Sequence, residues 1–165
     1  MPSSAQRRLS ELYAQHSASA LRLAYLMTGD PTEAEDIVQE AFARMFARFQ
    51  DRRAPHAVEA YLRRSIINLS HDRHRRLKTL RTFLARRTSS ATLEEPPDIE
   101  GRLVMRSRLH RLPCRQRAAL VLRYYEDLSE DHAAEILHCS IPALKQLVQR
   151  GLTTLREQQR GDSDE

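Results

Sequence analysis

The chain has 165 residues, a length that suits one typical domain or two small ones. Its net charge is +5, aromatic residues make up only 5% and there are four Gly, a composition that favours helices and disfavours a large layered α/β enzyme. Two Cys, no apolar run of about 20 residues and no apolar leader at the N-terminus disfavour a secreted scaffold and a membrane protein, so we expect a cytoplasmic location without membrane insertion.

Three amphipathic segments predict three helices in the first half of the chain. The first covers 9–27 and should end at Gly29, because Gly is a common residue just past the last helical turn. Asp30 followed by Pro31 is a strong start signal for the second helix. The third, roughly 56–76, becomes strongly basic after its apolar stripe. Three such helices can bury one another in a small bundle.

A polar segment divides the chain near its middle. Small polar residues and the pair Pro96 and Pro97 cannot propagate a helix, so this segment is interpreted as a linker. The predicted organisation is a first domain, a linker, a second domain and a disordered tail: 1–87, 88–98, 99–160 and 161–165.

The second half predicts helices over 99–112 and, beyond Pro113, over 115–125. Ser129 can cap a short helix that ends near residue 137, and Ser140 can cap a last helix that ends near residue 158. Two helices joined by three or four residues are typical of a helix-turn-helix, in which the second helix usually enters the DNA major groove.

Basic residues are concentrated in the first half. Residues 63–87 hold nine Lys and Arg side chains against the single acid Asp72. A basic stripe of this density is typical of proteins that neutralise phosphates. A solvated helix face is the alternative interpretation.

At this point several segments resemble, in order and spacing, the extracytoplasmic-function (group 4) sigma factors of the sigma-70 family, and most closely their actinobacterial SigE-like subgroup. Glu35-Asp-Ile-Val-Gln-Glu-Ala-Phe42 resembles the core-binding motif, and Tyr61-Leu-Arg-Arg-Ser-Ile-Ile-Asn68 is similar to the helix that meets the promoter −10 element. Three further segments resemble the domain that reads the −35 element: Leu112-Pro-Cys-Arg-Gln-Arg117, Arg123-Tyr-Tyr-Glu-Asp-Leu-Ser129 and Ile136-Leu-His-Cys-Ser140.

The resemblance implies an all-α protein of two small helical domains joined by a flexible linker, with a sigma region 2 three-helix bundle and a sigma region 4 helix-turn-helix. It implies an alternative sigma factor that binds core RNA polymerase, directs promoter-specific initiation and assists −10 melting. No enzymatic activity, cofactor or metal is expected. An anti-sigma partner is common in the family, although no residue of this chain points to one.

Contacts with polymerase are implied for the second helix and for the second domain. The second helix would dock on the β′ clamp helices, and the second domain would meet the β flap. The side chains implied for the clamp contact are Glu35, Asp36, Gln39 and Glu40. Without the resemblance, these acids would be interpreted as solvating a helix whose dipole favours acidic residues in its first turns.

Contacts with −10 DNA are implied for the third helix. Asn68, His71 and Asp72 occupy positions that form a base-capturing loop in the family, and an Asn amide can donate to and accept from a base edge. Alternatively, Asn68 ends or caps the helix and touches no base. His74, preceded by Arg73, stands where the subgroup often has an aromatic pair. The implied phosphate contacts are Arg63, Arg64, Arg73, Arg75, Arg76 and Lys78.

Contacts with −35 DNA are implied for the last helix, through Ser140, Lys145, Gln146, Gln149 and Arg150. A solvated helix face is again the alternative. Three positions depart from the family pattern: His138 replaces a turn Gly, Ala143 replaces a Thr and Leu147 replaces a polar residue. These departures put the −35 specificity in doubt.

Two other functions stay open from the residues alone. A stand-alone helix-turn-helix regulator would explain the second domain and the charge, but it leaves the Glu35–Phe42 motif unexplained. A polymerase-binding decoy would explain the altered recognition helix. A zinc site is disfavoured because the spacing of the candidate ligands matches no known pattern; these are Cys114, His132, His138 and Cys139.

Overall fold

A computed structural model describes residues 1–49, 55–85 and 101–163, and every regular element in these ranges is helical. No helix in them is long and apolar enough to cross a bilayer. The predicted linker, 88–98, lies outside the described residues. The elements in chain order are α1 (Ser4–Thr28), α2 (Pro31–Arg48), α3 (Pro55–Ala85), α4 (Gly101–His110), α5 (Cys114–Leu120), a π-helical turn (Val121–Tyr125), α6 (Glu130–Ile136) and α7 (Ile141–Ser163).

The junction of α1 and α2 forms as the sequence predicts. Gly29 adopts φ 70°, the left-handed region that favours Gly, and its N–H donates to the Tyr25 carbonyl at 2.7 Å. The Asp30 carboxylate then accepts from the backbone N–H groups of Thr32 (2.8 Å) and Glu33 (3.0 Å). The orphan donors at the start of α2 are therefore satisfied, and the two helices are set in a tight antiparallel pair.

The first domain is the bundle of α1, α2 and α3. Its apolar stripes meet in a core whose most deeply buried members include Leu23, Met27, Ile37, Met45 and Ile66. The helical period of the sequence predicts this packing. Since the apolar stripes face inward, the charged residues of α2 and α3 are left on the outside of the bundle.

Helix α3 is longer than the sequence predicts, because it continues to Ala85 instead of ending near residue 76. The extension has apolar residues at helical spacing, Leu77, Leu80 and Leu84, all of them exposed. No Gly or Pro interrupts it. The segment that packs in the first domain and the basic segment that follows it therefore belong to one continuous helix.

The second domain packs α4, α5 and α6 around α7. The predicted helix 115–125 divides into α5 and a π-helical turn, in which the Glu126 N–H donates to the Val121 carbonyl at 2.9 Å. Helix α7 continues to Ser163, so residues 161–163 differ from the disordered tail that the sequence predicts. The Arg108 guanidinium pairs there with Asp162 at 3.0 Å, which anchors the last turn to α4.

The two domains contact each other around one buried cation, Arg117 of α5, which is 1% exposed. Its guanidinium donates to the Met27 carbonyl in the last turn of α1, at 2.5 Å. It also donates to three carbonyls at and just beyond the end of α4: Leu109 (2.8 Å), His110 (2.8 Å) and Leu112 (3.1 Å). The last carbonyls of a helix lack partners within the helix and carry partial negative charge, so one Arg side chain caps a helix of each domain.

Candidate polymerase and nucleic-acid interfaces

The predicted polymerase-binding side chains lie on the outer face of α2. We call this surface the acidic face; it comprises Glu35, Asp36 and Gln39, which are exposed, and Glu40, which is partly buried. Ile37 and Val38 are buried between them. The acidic face is thus presented by a helix whose opposite side is fixed in the core.

Arg73 of α3 reaches the acidic face. Its guanidinium lies 3.7 Å from the Asp36 carboxylate and 4.0 Å from the Glu40 carboxylate, and Glu40 also pairs with Arg44 at 2.7 Å. These pairs are partly exposed, so each contributes little to stability. They do bring a predicted DNA-binding cation next to the predicted polymerase-binding acids, a proximity that the sequence alone does not predict.

The predicted base-capturing residues lie on a helix and not in the expected loop. Asn68, His71 and Asp72 fall well inside α3, which is continuous from Pro55 to Ala85. The alternative that Asn68 ends or caps the helix is wrong for the same reason. Asn68 is exposed, whereas His71 and Asp72 are partly buried. The Asn68 amide is therefore held on a rigid helical surface, open to solvent.

Apart from Arg73, which is partly buried beside the acidic face, the predicted phosphate contacts of α3 fall into two groups. Arg76 and Lys78 are exposed, and Arg75 is exposed but pairs with Asp72 at 2.7 Å. Arg63 and Arg64 are partly buried and face the second domain. The first group is presented to solvent in this arrangement, and the second is largely covered.

A cleft of about 960 Å³ lies between the second half of α3, helix α4 and the junction of α1 and α2. We call it the basic cleft, because cations line it from the two sides: Arg73, Lys78, Arg81, Arg106, Arg108 and Arg111. Acidic residues at its edges are Asp30, Glu33 and Asp162. A concave surface of one predominant charge concentrates counter-ions and favours anionic ligands.

His110 also lines the basic cleft. Burial, with Arg117, His74 and Arg106 nearby, lowers the pKa of His110 to about 4. Burial and nearby cations, Arg117 first among them, also lower the pKa of His74. Both imidazoles are thus held neutral at pH 7, which limits the positive charge that accumulates between the domains.

The helix-turn-helix forms as the sequence predicts. The Ser129 hydroxyl accepts from His132 N–H (3.3 Å) at the start of α6, and the Ser140 hydroxyl accepts from Ala143 N–H (3.2 Å) at the start of α7. His138 adopts φ 50° in the turn, the left-handed conformation for which the family's Gly is suited. Ser140, expected at the DNA, thus also has a structural role.

The polar row of the recognition helix α7 faces solvent. Lys145, Gln146, Gln149 and Arg150 are all exposed, and the Lys145 ammonium lies 3.5 Å from Glu130. Two departures from the family pattern, Ala143 and Leu147, are partly buried. The row can therefore reach a groove without moving the core of the domain.

An apolar groove of about 270 Å³ lies on the second domain beside the end of α1, and the sequence patterns above do not predict it. Its exposed members are Met105, Tyr124 and Tyr125. The other lining residues are Leu26, Leu109, Leu120, Val121, Leu152 and Leu155. The adjacent tyrosines are a usable signal, since aromatic residues are enriched in protein interfaces.

Neither thiol is part of a disulfide. Cys114 is buried, and this burial raises the pKa of its thiol; Cys139 is partly buried. Within residues 1–49, 55–85 and 101–163, no three His, Cys, Asp or Glu side chains lie close enough to hold a metal ion.

Comparison with known families matches both domains. Residues 12–80 match the model of sigma-70 region 2, and residues 102–155 match the model of sigma-70 region 4. The first match covers most of α1, all of α2 and most of α3, and the second runs from α4 into α7.

Two curated proteins and one solved structure are similar over most of the chain. The RNA polymerase sigma-E factor of Streptomyces coelicolor is 32% identical over 84% of this chain and 78% of its own length. An ECF RNA polymerase sigma factor of Mycolicibacterium smegmatis, SigE, is 32% identical over 89% of this chain and 60% of its own length. The sigma factor RpoE of Bartonella quintana, crystallised with the anti-sigma factor NepR, has a TM-score of 0.72 at 19% identity, and the match covers 92% of this chain and 96% of that one.

Proposed function

The chain belongs to the sigma-70 family as an extracytoplasmic-function (group 4) sigma factor of SigE-like type that directs RNA polymerase to promoters, and we propose how its parts divide that task. The first domain, 1–87, binds core polymerase and opens the −10 element, and the second domain, 99–160, reads the −35 element. The division is supported by the placement of the acidic face, the basic stretch and the polar row on three different helices, α2, α3 and α7.

Polymerase is bound at two surfaces in this proposal. The acidic face of α2 meets the β′ clamp helices, where carboxylates can pair with basic side chains of the partner. The apolar groove receives the β flap, because its exposed tyrosines and Met105 offer aromatic and thioether surface to an apolar segment. One contact is thus electrostatic and the other hydrophobic.

The −10 element is opened along α3. The exposed Asn68 amide contacts an extruded base, with His71 and Asp72 beside it on the same helix. Arg73, Arg75, Arg76 and Lys78, with Arg63 and Arg64, hold the phosphates of the melted strand. The support is the exposure of Asn68 and the placement of the basic residues along one continuous helix.

The −35 element is read by α7. Lys145, Gln146, Gln149 and Arg150 supply donors and acceptors at the groove, and Ser140 stands at the N-terminus of the helix. Gln can bond adenine in a bidentate manner, and Arg can bond guanine or a phosphate. The apolar Ala143 and Leu147 narrow the set of base contacts that this helix can make.

As an initiation factor the protein has no catalytic chemistry of its own in this proposal and acts in the cytoplasm with the polymerase. An anti-sigma protein binds it and holds it inactive. The support is the similarity in fold to RpoE of Bartonella quintana, a sigma factor that forms a complex with the anti-sigma factor NepR.

The deciding experiment is in vitro transcription with purified core polymerase on fragmented genomic DNA, with and without the protein. Discrete new start sites that share −35 and −10 sequences are expected. Polymerase binding without any start would favour the decoy, for which the altered positions Ala143 and Leu147 are the supporting observation. Neither binding nor starts would favour a stand-alone regulator.

A further inference from the structure

Three cations that line the basic cleft already have partners in the protein. Arg73 pairs with Asp36 at 3.7 Å, and Arg108 pairs with Asp162 at 3.0 Å. Arg117, which also lines the cleft, donates to four backbone carbonyls. The charge of each of these three side chains is therefore balanced in part by the protein itself.

Four other cations of the basic cleft form no ion pair within the described residues. Lys78 and Arg81 belong to α3, whereas Arg106 lies on α4 and Arg111 directly follows that helix. Lys78, Arg81 and Arg111 are exposed, and the Arg106 guanidinium lies 4.6 Å from the centre of the Tyr25 ring. These four side chains are therefore available to an anion that enters from solvent.

The four available cations stand on two walls of the cleft, one from each domain. Lys78 and Arg81 line the wall of the first domain, and Arg106 and Arg111 line the wall of the second. Like charges that face each other across a cleft repel, most strongly at low salt. An anion with several charges, placed between the walls, replaces this repulsion by attraction to both of them.

The residue types favour phosphate as the anion. Three of the four available cations are Arg, whose planar guanidinium presents paired N–H donors that match two oxygens of one phosphate. A chain of linked phosphates repeats this group and carries several negative charges. It can therefore meet cations of both walls at the same time.

The size and the acidic residues of the cleft favour a short anion. Its volume of about 960 Å³ lies within the range of about 300–1,000 Å³ that is usual for small-molecule sites. Asp30 and Glu33, at the junction of α1 and α2, and Asp162, near the end of α7, also line it. Their carboxylates repel a polyanion that extends beyond the cations.

We propose that the basic cleft binds a short chain of linked phosphates, with Lys78 and Arg81 on one wall and Arg106 and Arg111 on the other. This chemistry is shared by inorganic polyphosphate and by the phosphate chain of a nucleotide. The site goes beyond the proposed division of promoter recognition, which gives no role to Arg81, Arg106 or Arg111. Because the ligand contacts both walls, it bridges the two domains.

The test is isothermal titration calorimetry of the full-length protein with inorganic tripolyphosphate and with ATP, both in magnesium-free buffer. Inorganic phosphate is the control ligand, because it offers one phosphate group alone. The variant Arg81→Gln with Arg111→Gln removes one exposed cation from each wall. The matched variant, Arg156→Gln with Arg160→Gln, removes two exposed cations of α7 that do not line the cleft.

Tripolyphosphate or ATP should bind the wild type at least about tenfold more tightly than inorganic phosphate, because several charged contacts act together. The Arg81 and Arg111 double variant should weaken this binding by about tenfold or more, and the Arg156 and Arg160 double variant should stay within about twofold of the wild type. The tighter of the two ligands identifies the source of the phosphate chain, and equal binding means that the chain alone is recognised. The ligand should also raise the melting temperature of the wild type more than that of the Arg81 and Arg111 double variant.

Equal weakening by the two double variants would overturn the proposal, since it would indicate non-specific attraction to a basic protein. Binding no tighter than that of inorganic phosphate would overturn it as well. A labelled DNA single strand of about 12 nucleotides is the last probe. If its binding needs Arg81 and Arg111 and tripolyphosphate does not compete with it, the cleft is a nucleic-acid surface and the proposal is wrong. If circular dichroism shows that the Arg81 and Arg111 double variant is unfolded, Arg111→Gln alone replaces it.

Discussion

Arg117 and Met27 lie 90 positions apart in the chain, and the guanidinium Nη1 of the first donates to the carbonyl oxygen of the second at 2.5 Å. The same guanidinium caps the end of α4. Burial lowers the pKa of Arg117, yet its hydrogen-bond acceptors among the described residues are all backbone carbonyls. The partial negative charge of converging helix ends replaces the usual acidic partner.

Replacing Arg117 by Met should lower the free energy of unfolding by at least about 3 kcal/mol, because four carbonyls lose a charged donor inside the protein. Arg117→Lys should restore only part of this loss, since an ammonium cannot match the planar spread of a guanidinium. Urea denaturation measures both values. Arg111→Met, at an exposed position, is the control and should change stability by less than about 0.5 kcal/mol. Full rescue by Lys would contradict the proposed geometry.

Gly29 and His110 should be energetically coupled. A Cβ at Gly29 would overlap the imidazole Nε2 of His110, and φ 70° is strained for Ala. Gly29→Ala should therefore cost about 2–3 kcal/mol in the wild type, but only about 1 kcal/mol when His110→Ala is also present.

A double-mutant cycle by chemical denaturation gives this coupling between Gly29 and His110. If Gly29→Ala lowers the free energy of unfolding equally in the wild type and in His110→Ala, the Cβ at position 29 does not clash with the His110 side chain.

Stability should fall on acidification because of His110. Its pKa is about 4 in the folded protein against an ordinary 6.5, so between these values the unfolded chain binds a proton that the folded chain does not. The free energy of unfolding is thus unaffected above pH 6.5 and falls by about 1–2 kcal/mol towards pH 4, after allowance for the partial exposure of the ring.

Thermal melts of wild type and His110→Gln from about pH 7.5 to about pH 4 separate this effect from that of the carboxylates. The wild type should lose more stability than His110→Gln as the pH falls from about 6.5 to about 4. His132→Gln, at an exposed position of α6, is the control and should run parallel to the wild type. If the stability of His110→Gln falls with pH in parallel with that of the wild type, the His110 imidazole is not the cause of the acid destabilisation.

Much of the fold is predictable from the sequence because its signals are local. Asp30 and Gly29 mark helix ends through their own backbone and side chain, and the α2 core face follows from the helical period. The role of Arg117 is not predictable in this way. Its four acceptors come from segments distant in sequence or from helix ends, and a cation flanked by Gln116 and Ala118 has the pattern of a surface residue.

Lys145→Ala combined with Arg150→Ala should reduce promoter-specific initiation about 10- to 100-fold, through the loss of two charged contacts at the −35 groove. Binding to core polymerase should be unchanged, because neither residue lies on the acidic face or in the apolar groove. Transcription from a start site found with the wild type and a polymerase pull-down measure the two effects.

The matched variant of the acidic face is Asp36→Ala with Glu40→Ala, which should weaken polymerase binding and leave duplex binding intact. Loss of polymerase binding in the folded Lys145 and Arg150 double variant would contradict the division of labour.

His138→Gly should raise the free energy of unfolding slightly, by about 0.5 kcal/mol. Gly removes the strain of φ 50°, although it also gives the unfolded chain more freedom. Differential scanning calorimetry of the variant checks this. Ala at the same position should not stabilise, since it keeps a Cβ, and stabilisation by Ala would show that strain is not the cause.

The site is less predictable than the fold, for a physical reason. Exposure of the row from Lys145 to Arg150 follows from the period of one helix. The partial burial of Arg63 and Arg64 depends instead on how the second domain packs against α3. The sequence pattern of α3 alone does not predict that packing. Asn68 is a similar case, because the family resemblance predicts a loop where the helical period continues without interruption.

The unbroken helix α3 also fixes a distance. At 1.5 Å per residue, Asn68 and Lys78 are about 15 Å apart along the axis, the length of roughly four nucleotides of one strand at the spacing of duplex DNA. A continuous helix therefore fixes the length of strand between the proposed base contact at Asn68 and the proposed phosphate contact at Lys78. Inserting one residue between them would turn Lys78 by about 100° around the axis, so the two proposed contacts depend on the length and phase of this helix as well as on its side chains.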